Sequence, residues 1–346
     1  MTTLEDYSLN LPEEEYHNYP AWSYSILAKY ARGGFSTLPT LFDKIAPTKE
    51  MEFGSLFDAV ITQGKKALDK YIVYDKDVPS AEQKVLDELP KYTTTTTLAD
   101  VPDDTLIMVT KLCQYYPKWG IDAKRKHLEE YADYYTIACT GKKVVSSTDW
   151  NDVLEMEATF RSDPFLKELF GTANTKTKKY LYQKQYVINY TMDNGDVVPI
   201  KIMPDLIKID HEKKEIQPTD LKTSSNPAYD FKESFVKLRY DLQASLYSYV
   251  ISVIASEDPE LKDYTINPYL FVDISRTDKV PVTYVYDQNN ESQKDGLSYT
   301  VGEKTYNYAG WQGILREIRA YQKANAKVPS YITTNEPNDL INLLNR

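Results

Sequence analysis

The clearest pattern of apolar and polar residues in this chain lies in residues 197–223. Residues 199–209 alternate between apolar and polar over much of their length, which is typical of a half-buried β-strand. Residues 216–223 alternate more loosely, and residues 210–215 between them are all polar. The pattern predicts two strands joined by a polar turn. A symmetric turn of this kind places Asp205 opposite Asp220.

Periodicity in the rest of the chain predicts further strands and many helices. Apolar residues that recur at three- and four-residue spacing indicate helices, and short runs rich in β-branched and aromatic residues indicate strands. The predicted helices are one that begins at Ser23 and those over residues 52–70, 81–89, 106–115, 123–135, 149–161, 232–255 and 306–326. The predicted strands outside the hairpin are residues 143–145, 180–191, 269–274 and 280–286. The fold class is therefore α/β (α+β), with a mixed central sheet flanked by helices.

The predicted hairpin brings two carboxylates and an ammonium group together. Facing residues of an antiparallel pair have Cβ atoms about 5 Å apart, so we expect the carboxylates of Asp205 and Asp220 to repel each other. Lys222 shares their face, because it lies two residues beyond Asp220, whereas Leu221 points into the core. A hard divalent cation such as Mg²⁺ or Mn²⁺ would relieve this repulsion. The alternative is a surface hairpin with scattered charges.

Two sequence motifs resemble those of known nucleases. Pro204-Asp205 followed by Asp220-Leu221-Lys222 resembles the PD-(D/E)xK nuclease motif, and Gln243 with Tyr247 matches the QxxxY element of its RecB-like branch. Residues 53–61 (FGSLFDAVI) resemble the GxxxH element of that branch, with Asp58 where histidine is expected. Together these elements resemble the phage and prophage exodeoxyribonuclease VIII (RecE-like) group.

The resemblance implies a restriction-endonuclease-like core with a helical N-terminal elaboration. It also implies that Asp205, Asp220 and the backbone carbonyl of Leu221 hold Mg²⁺ or Mn²⁺, and that Lys222 orients or deprotonates the attacking water. Asp58 would add an oxygen ligand in place of the usual imidazole. The alternative for Asp58 is a surface aspartate that makes a salt bridge.

The resemblance further implies that Gln243 and Tyr247 line the site and contact substrate phosphate or the catalytic lysine. The alternative is a polar helix face with tyrosines in the core. Many members of the group carry a glutamate on the strand predicted over residues 180–191. This chain has Gln183 and Gln185 there, and neither side chain can supply negative charge to a metal.

The implied activity is that of a metal-dependent exonuclease on double-stranded DNA ends, in phage-type recombination or replication. The implied partners are DNA, a single-strand annealing protein and further copies of the chain in a ring. Two other functions stay open. One is endonuclease activity, and the other is a catalytically weak nuclease fold used for DNA binding or in a virion.

Composition narrows the class of protein. The 346 residues carry a net charge of −10, which argues against a general nucleic-acid coating protein. Basic clusters at residues 124–127 and 176–179 are candidates for a DNA channel or simply solvated faces. The two cysteines exclude an iron–sulfur or cysteine-zinc site and fit a reducing compartment. We expect a cytoplasmic protein with no membrane span and no signal peptide, in the bacterial host cytoplasm if it is phage-encoded.

The expected domain organisation is an arm, one large domain and a tail. Residues 1–20 are acidic and form a mobile or docked arm. Residues 21–330 form a single nuclease domain, with a helical part over 21–140, a catalytic core over 141–290 and a closing helix over 306–326. Residues 331–346 form the tail.

Overall fold

The computed structural model describes residues 3–43, 47–289 and 296–324. The chain forms two compact units. Residues 1–51 and 159–346 make up the first, called here the sheet unit, and residues 52–158 make up the second, the helical unit. The single domain predicted over residues 21–330 spans the whole helical unit and most of the sheet unit, and its unity stays a prediction.

Helices account for most of the regular structure. They are α1 (Glu13–Asn18), α2 (Tyr24–Gly33), α3 (Lys49–Gln63), α4 (Lys65–Leu68), α5 (Ser80–Glu88), α6 (Asp103–Leu112), α7 (Ile121–Glu129), α8 (Ala132–Ala138), α9 (Ser147–Ser162), α10 (Pro164–Leu169), α11 (Phe231–Leu238), α12 (Tyr240–Glu257) and α13 (Trp311–Lys323). Short 3₁₀ helices cover Leu4–Tyr7, Gly34–Thr40, Leu89–Lys91, Leu98–Asp100 and Ala228–Asp230.

The strands form one large sheet and three pairs. They are β1 (Tyr71–Val73), β2 (Lys143–Val145), β3 (Lys178–Tyr182), β4 (Tyr186–Thr191), β5 (Val197–Ile202), β6 (Leu206–Asp210), β7 (Glu215–Ser224), β8 (Thr265–Ile266), β9 (Tyr269–Ser275), β10 (Pro281–Tyr286), β11 (Gly296–Val301) and β12 (Lys304–Ala309). The predicted mixed α/β fold is therefore confirmed.

The large sheet is built around β7. Its strand order is β10-β9-β7-β6-β3, and the short β8 also pairs with β7. β7 runs antiparallel to β6 and parallel to β9, so the sheet is mixed. The parallel neighbours are joined through α11 and α12, because parallel strands need a long crossover. The predicted hairpin register is confirmed, since Leu206 pairs with Thr219 and Asp210 with Glu215.

The strand predicted over residues 199–209 is interrupted. β5 ends at Ile202 and pairs with β4 in a separate two-stranded sheet, whereas β6 begins at Leu206 in the large sheet. The strand predicted over residues 180–191 divides likewise, into β3 and β4. Pro204 has no N–H to donate to a ladder, and Gln183 adopts a positive φ of 47°. Asp205 therefore lies at a bend, immediately before β6.

The helix predicted over residues 232–255 is also two helices. Arg239 separates α11 from α12 in the left-handed conformation, with φ 61° and ψ 46°. Its guanidinium donates to both carboxylate oxygens of Asp241 at 2.9 Å and to the backbone carbonyl of Ala309 at 2.7 Å. A left-handed conformation costs a non-glycine residue about 1–2 kcal/mol, so these buried contacts stabilise the turn against that cost.

Helix α12 lies in the hydrophobic core of the sheet unit. Most of its length is buried, including Leu246, Val250 and Ile254, and it belongs to the same core as Tyr269 and Phe271 of β9. Each such side chain contributes about 1.5–3 kcal/mol when fully buried. This packing fixes α12 in place, so its other side chains have defined positions relative to β7 and β9.

The N-terminal arm is docked in the described residues 3–20. Leu4 N donates to Asp258 at 2.9 Å, and Leu11 exchanges two 2.9 Å hydrogen bonds with the Gln185 side chain. Lys201 is buried and donates to the carbonyls of Tyr16, His17 and Tyr19. These hydrogen bonds connect the described part of the arm to other elements of the sheet unit.

The chain's C-terminal elements differ from the prediction. The closing helix begins at Trp311 rather than at residue 306, because Lys304–Ala309 pairs with Gly296–Val301 as a hairpin. Residues 325 and 326 of the predicted helix, and the predicted tail over 331–346, lie outside the described residues.

The helical unit has its own core, formed by α5 to α8 and the segments between them. Its only strands among the described residues are β1 and β2, which pair in parallel. The helix predicted over residues 52–70 ends at Gln63, because Gly64 has a positive φ of 57°. The one predicted over 123–135 is broken between Glu129 and Ala132 into α7 and α8.

Candidate active site

Strand β7 positions two charged side chains on one face of the sheet. Asp220 and Lys222 lie two residues apart, so both point towards the face covered by α12. Leu221 lies between them, points to the opposite face and is buried, as predicted. The Asp220 side chain is 3% exposed and that of Lys222 18% exposed, so their charges interact with little screening.

Asp205 joins the group from the bend before β6. One of its carboxylate oxygens, Oδ2, accepts a hydrogen bond of 2.7 Å from the backbone N–H of Leu221. This bond ties the bend to β7 at the residue that follows Asp220. The structure thus places Asp205 beside the segment of β7 that carries Asp220 and Lys222, close enough for its charge to act on the Lys222 ammonium. The donated N–H also offsets part of the predicted repulsion between the carboxylates.

Lys222 is the positive centre of this group. Its ammonium forms an ion pair with Asp220 Oδ2. It also lies over the ring of Tyr240, 4.5 Å from the centroid, and 5.9 Å from that of Phe271. Burial acts to lower the pKa of Lys222, but nearby negative charge, that of Asp220 foremost, outweighs it and raises the pKa above its ordinary value. Lys222 is therefore a cation in this state.

Helix α12 contributes Gln243 and Tyr247. Gln243 Nε2 donates to Asp220 Oδ1 at 2.7 Å. The contact of Gln243 and Tyr247 with substrate phosphate or the catalytic lysine stays a prediction. Gln243 Oε1 is buried and has no hydrogen-bond partner among the described residues. Tyr247 is 8% exposed, and its ring centroid lies 6.3 Å from that of Tyr269. Burial raises the pKa of Tyr247 well above its ordinary value, so it stays a neutral phenol.

Tyr240 belongs to this site although the sequence motifs do not include it. Its ring supports the Lys222 ammonium and stacks on Phe231 and Phe271, with centroids 5.7 and 5.6 Å away. Cations are attracted to the faces of aromatic rings, so this contact orients Lys222. The signal was present in the sequence, because Tyr240 precedes Gln243 by three residues and such residues are neighbours on a helix.

Asp58 lies on α3, in the helical unit, and its side chain is partly buried. Its backbone carbonyl accepts a 2.8 Å hydrogen bond from the Thr62 hydroxyl one turn later. Its assignment as a metal ligand stays a prediction, as does that of the Leu221 carbonyl.

The donor atoms of the sheet unit suit a hard divalent cation. Asp205 and Asp220 supply carboxylate oxygens, and Gln243 Oε1 is a buried oxygen without a described partner. Mg²⁺ and Mn²⁺ are bound by such oxygens together with water, and Mg²⁺ often needs only one or two carboxylates. No group of three or more His, Cys, Asp or Glu side chains placed to hold a metal occurs within residues 3–43, 47–289 and 296–324. These residues therefore fit a cation that keeps several waters.

A sequence model of the PD-(D/E)XK nuclease superfamily matches residues 21–328. This match spans almost all of the chain beyond the N-terminal arm and contains every residue of the candidate site. No curated protein matches the chain. Within the part of the chain that the structure describes, no helix is both long enough and apolar enough to cross a membrane.

Proposed function

Because the chain belongs to the PD-(D/E)XK nuclease superfamily, which makes it a nuclease, we propose that it is a divalent-metal-dependent exonuclease on double-stranded DNA ends. The observation that carries the proposal is the convergence of Asp205, Asp220 and Lys222 on one face of the sheet, with Gln243 bonded to Asp220. A surface hairpin with scattered charges would leave Asp220 exposed, whereas Asp220 and Gln243 are both buried here.

Each side chain has a role that follows from its contacts. Asp205 and Asp220 would hold Mg²⁺ or Mn²⁺, which would make an attacking water easier to deprotonate than bulk water. Gln243 holds the Asp220 carboxylate in one orientation through its amide. Lys222 is charged, so it donates hydrogen bonds to the scissile phosphate and offsets the negative charge that grows there during attack.

The overall reaction is hydrolysis of a phosphodiester bond. Water attacks the phosphorus in line, the bond to the 3′ oxygen breaks, and that oxygen takes up a proton. The products are a 3′-hydroxyl and a 5′-phosphate. The charged state of Lys222 favours an electrostatic role for this residue over direct deprotonation of the water.

Two finer proposals rest on the resemblance to the exodeoxyribonuclease VIII group. The first is a role in phage-type recombination or replication. The second is that the chain acts with a single-strand annealing protein and with further copies of itself in a ring. Co-purification with such a protein and the mass of the complex in solution test the second proposal directly.

A competing function is that of a nuclease fold that binds DNA without cutting it. The ion pair between Asp220 and Lys222, with Asp205 bonded to the N–H of Leu221 between them, favours catalysis, because a non-catalytic descendant has no need for a buried ion pair.

The experiment that separates these functions is incubation with end-labelled linear DNA and with covalently closed circular DNA. Each is run with Mg²⁺, with Mn²⁺ and with EDTA. An exonuclease degrades only the linear DNA and is inactive in EDTA. Cleavage of the closed circle would establish an endonuclease instead, and binding without cleavage in any metal would overturn the proposed activity.

A further inference from the structure

A third carboxylate lies beside Lys222 on the neighbouring strand. Asp273 of β9 is paired in register with Lys222 of β7. Because these strands are parallel, side chains in register lie on the same face of the sheet. Asp273 is 1% exposed, which is rare for an aspartate without a structural or functional partner. The sequence motifs of the site do not include it.

The hydrogen bonds of Asp273 leave half of its carboxylate unsatisfied. Oδ2 accepts a hydrogen bond of 3.2 Å from the Ser224 hydroxyl, which also lies 2.8 Å from the carbonyl of Asn226. Oδ1 is buried and has no hydrogen-bond partner among the described residues. A buried carboxylate in this condition costs free energy unless a cation compensates it, and the cation in register with it is Lys222.

Lys222 forms an ion pair with one carboxylate, that of Asp220, and Asp220 has a second role in the proposed function. Its ammonium is paired with Asp220, and Tyr240 and Phe271 provide the aromatic surfaces around it. In the proposed function Asp220 also binds a divalent cation. Two cations that share one carboxylate compete for it, since like charges repel. A second carboxylate within reach of Lys222 removes the competition.

We propose that Asp273 is a positioning residue that serves as the second carboxylate partner of Lys222 and holds its ammonium when Asp220 binds a divalent cation. This inference rests on the proposed function, because it assumes that Asp220 is a metal ligand. Asp273 touches neither metal nor substrate in this account. It acts through Lys222, whose position it fixes from the neighbouring strand β9.

The test is a double-mutant cycle on Mn²⁺ binding without DNA, measured by isothermal titration calorimetry at pH 8, where the Asp273 carboxyl is ionised. In Asp273→Asn, Lys222 has only Asp220 left, so Mn²⁺ should bind about tenfold more weakly, as expected for one charge-assisted contact. In the Lys222→Met background no ammonium competes. Asp273→Asn should then change the Mn²⁺ affinity less than about twofold, because the two effects are coupled through Lys222.

Two further variants serve as controls for this test. Asp258→Asn removes a buried acid at the far end of α12 and should leave Mn²⁺ affinity unchanged. If Asp273→Asn alone does not fold, the pair Lys222→Met with Asp273→Asn removes both buried charges and should fold. It is then compared with Lys222→Met and with the wild type, and a loss of Mn²⁺ affinity relative to Lys222→Met would overturn the inference.

The outcomes separate this inference from the proposed function. Equal weakening of Mn²⁺ binding by Asp273→Asn in both backgrounds, or none in either, overturns the inference, whether or not the wild type hydrolyses DNA. A wild type that binds Mn²⁺ and shows the predicted coupling but never hydrolyses DNA supports the inference and contradicts the nuclease activity. A wild type that binds no Mn²⁺ contradicts both.

Discussion

At the scale of single residues, Lys222 contacts side chains from three elements of the candidate site. It contacts an acid on its own strand, an aromatic ring on α12 and a second ring on β9. The same ammonium that would stabilise negative charge on a phosphate in the proposed function also forms an ion pair with Asp220. Its presence should therefore help the reaction and oppose metal binding.

This double role predicts opposite effects of Lys222→Met on two measurements. Hydrolysis of linear duplex DNA should slow by at least about 10²-fold, because a charge-stabilising group is lost. Mn²⁺ affinity should rise, because Asp220 no longer has a competing cation. Calorimetry and single-turnover kinetics on the same preparation check both. A loss of affinity that parallels the loss of rate would indicate a general structural defect instead.

Asp273 gives the protein a pH-dependent stability. Burial raises its pKa from the ordinary 3.8 to about 7, which Ser224 and Lys222 only partly oppose. Tyr240 of α12, Tyr284 of β10 and Asp278 are the other titratable groups near it. Between pH 4 and pH 7 the folded protein holds a proton that the unfolded chain lacks, so this group makes stability fall as pH rises through that window.

Asp273→Asn should remove this contribution, because asparagine carries no charge at any pH. In metal-free buffer the variant should gain stability relative to the wild type between pH 5 and pH 8, by up to about 1.4 kcal/mol per pH unit below pH 7. Urea unfolding at four pH values measures the difference. Parallel stability curves for the two proteins would show that Asp273 is not the group responsible.

At the scale of secondary-structure elements, the sequence predicted the hairpin well because its two signals agree. The alternation of residues in β6 and β7 and the polar turn between them both require the register that is observed. The interruption at Met203–Asp205 could not be predicted from alternation alone, since Ile202 and Leu206 continue the apolar pattern across it. Pro204 was the available sign of it.

The turn at Arg239 shows the opposite case, in which local sequence misleads. Arginine is a good helix former, and the apolar spacing continues from α11 into α12, so one helix was predicted. The left-handed turn is held by tertiary contacts with Asp241 and Ala309, and the latter residue is distant in sequence. Single-sequence periodicity does not detect such contacts.

Arg239→Ala should therefore cost more stability than an ordinary surface substitution. It leaves Asp241, which is 2% exposed, without its partner, and we expect a loss of about 3 kcal/mol in the free energy of unfolding. Arg316→Ala is a matched control, because Arg316 makes an exposed 2.6 Å ion pair with Asp193 that should be worth less than about 1 kcal/mol. Similar losses in both variants would contradict this account of the turn.

At the scale of the whole molecule, the chain combines a net charge of −10 with a substrate that would itself be an anion. Some residues of the two basic clusters seen in the sequence make contacts within the protein itself. Arg125 donates to the carbonyls of Leu98 and Val101, and Lys178 forms a 2.9 Å ion pair with Glu168. Their role as a DNA channel was an open alternative, and these contacts favour a structural one for Arg125 and Lys178.

The prediction that Asp58 is a metal ligand can be tested by substitution. The resemblance to the exodeoxyribonuclease VIII group predicts that Asp58 takes the place of that group's histidine ligand. Asp58→Ala should then raise the Mg²⁺ concentration needed for half-maximal DNA hydrolysis, with Asp69→Ala as a control in the same unit. If both variants keep the Mg²⁺ titration curve of the wild type, Asp58 is not a ligand.

The central claim is that the acids of the hairpin carry out metal-dependent DNA hydrolysis, and Asp220→Asn tests it most directly. The measurement is single-turnover hydrolysis of an end-labelled linear duplex at saturating Mn²⁺. Asp210→Asn is the control, since Asp210 is a buried acid at the far end of the same hairpin whose turn contacts asparagine can keep. The account predicts that Asp220→Asn lowers the rate by at least about 10²-fold while Asp210→Asn stays near the wild type. A folded Asp220→Asn protein that hydrolyses DNA at the wild-type rate would contradict it.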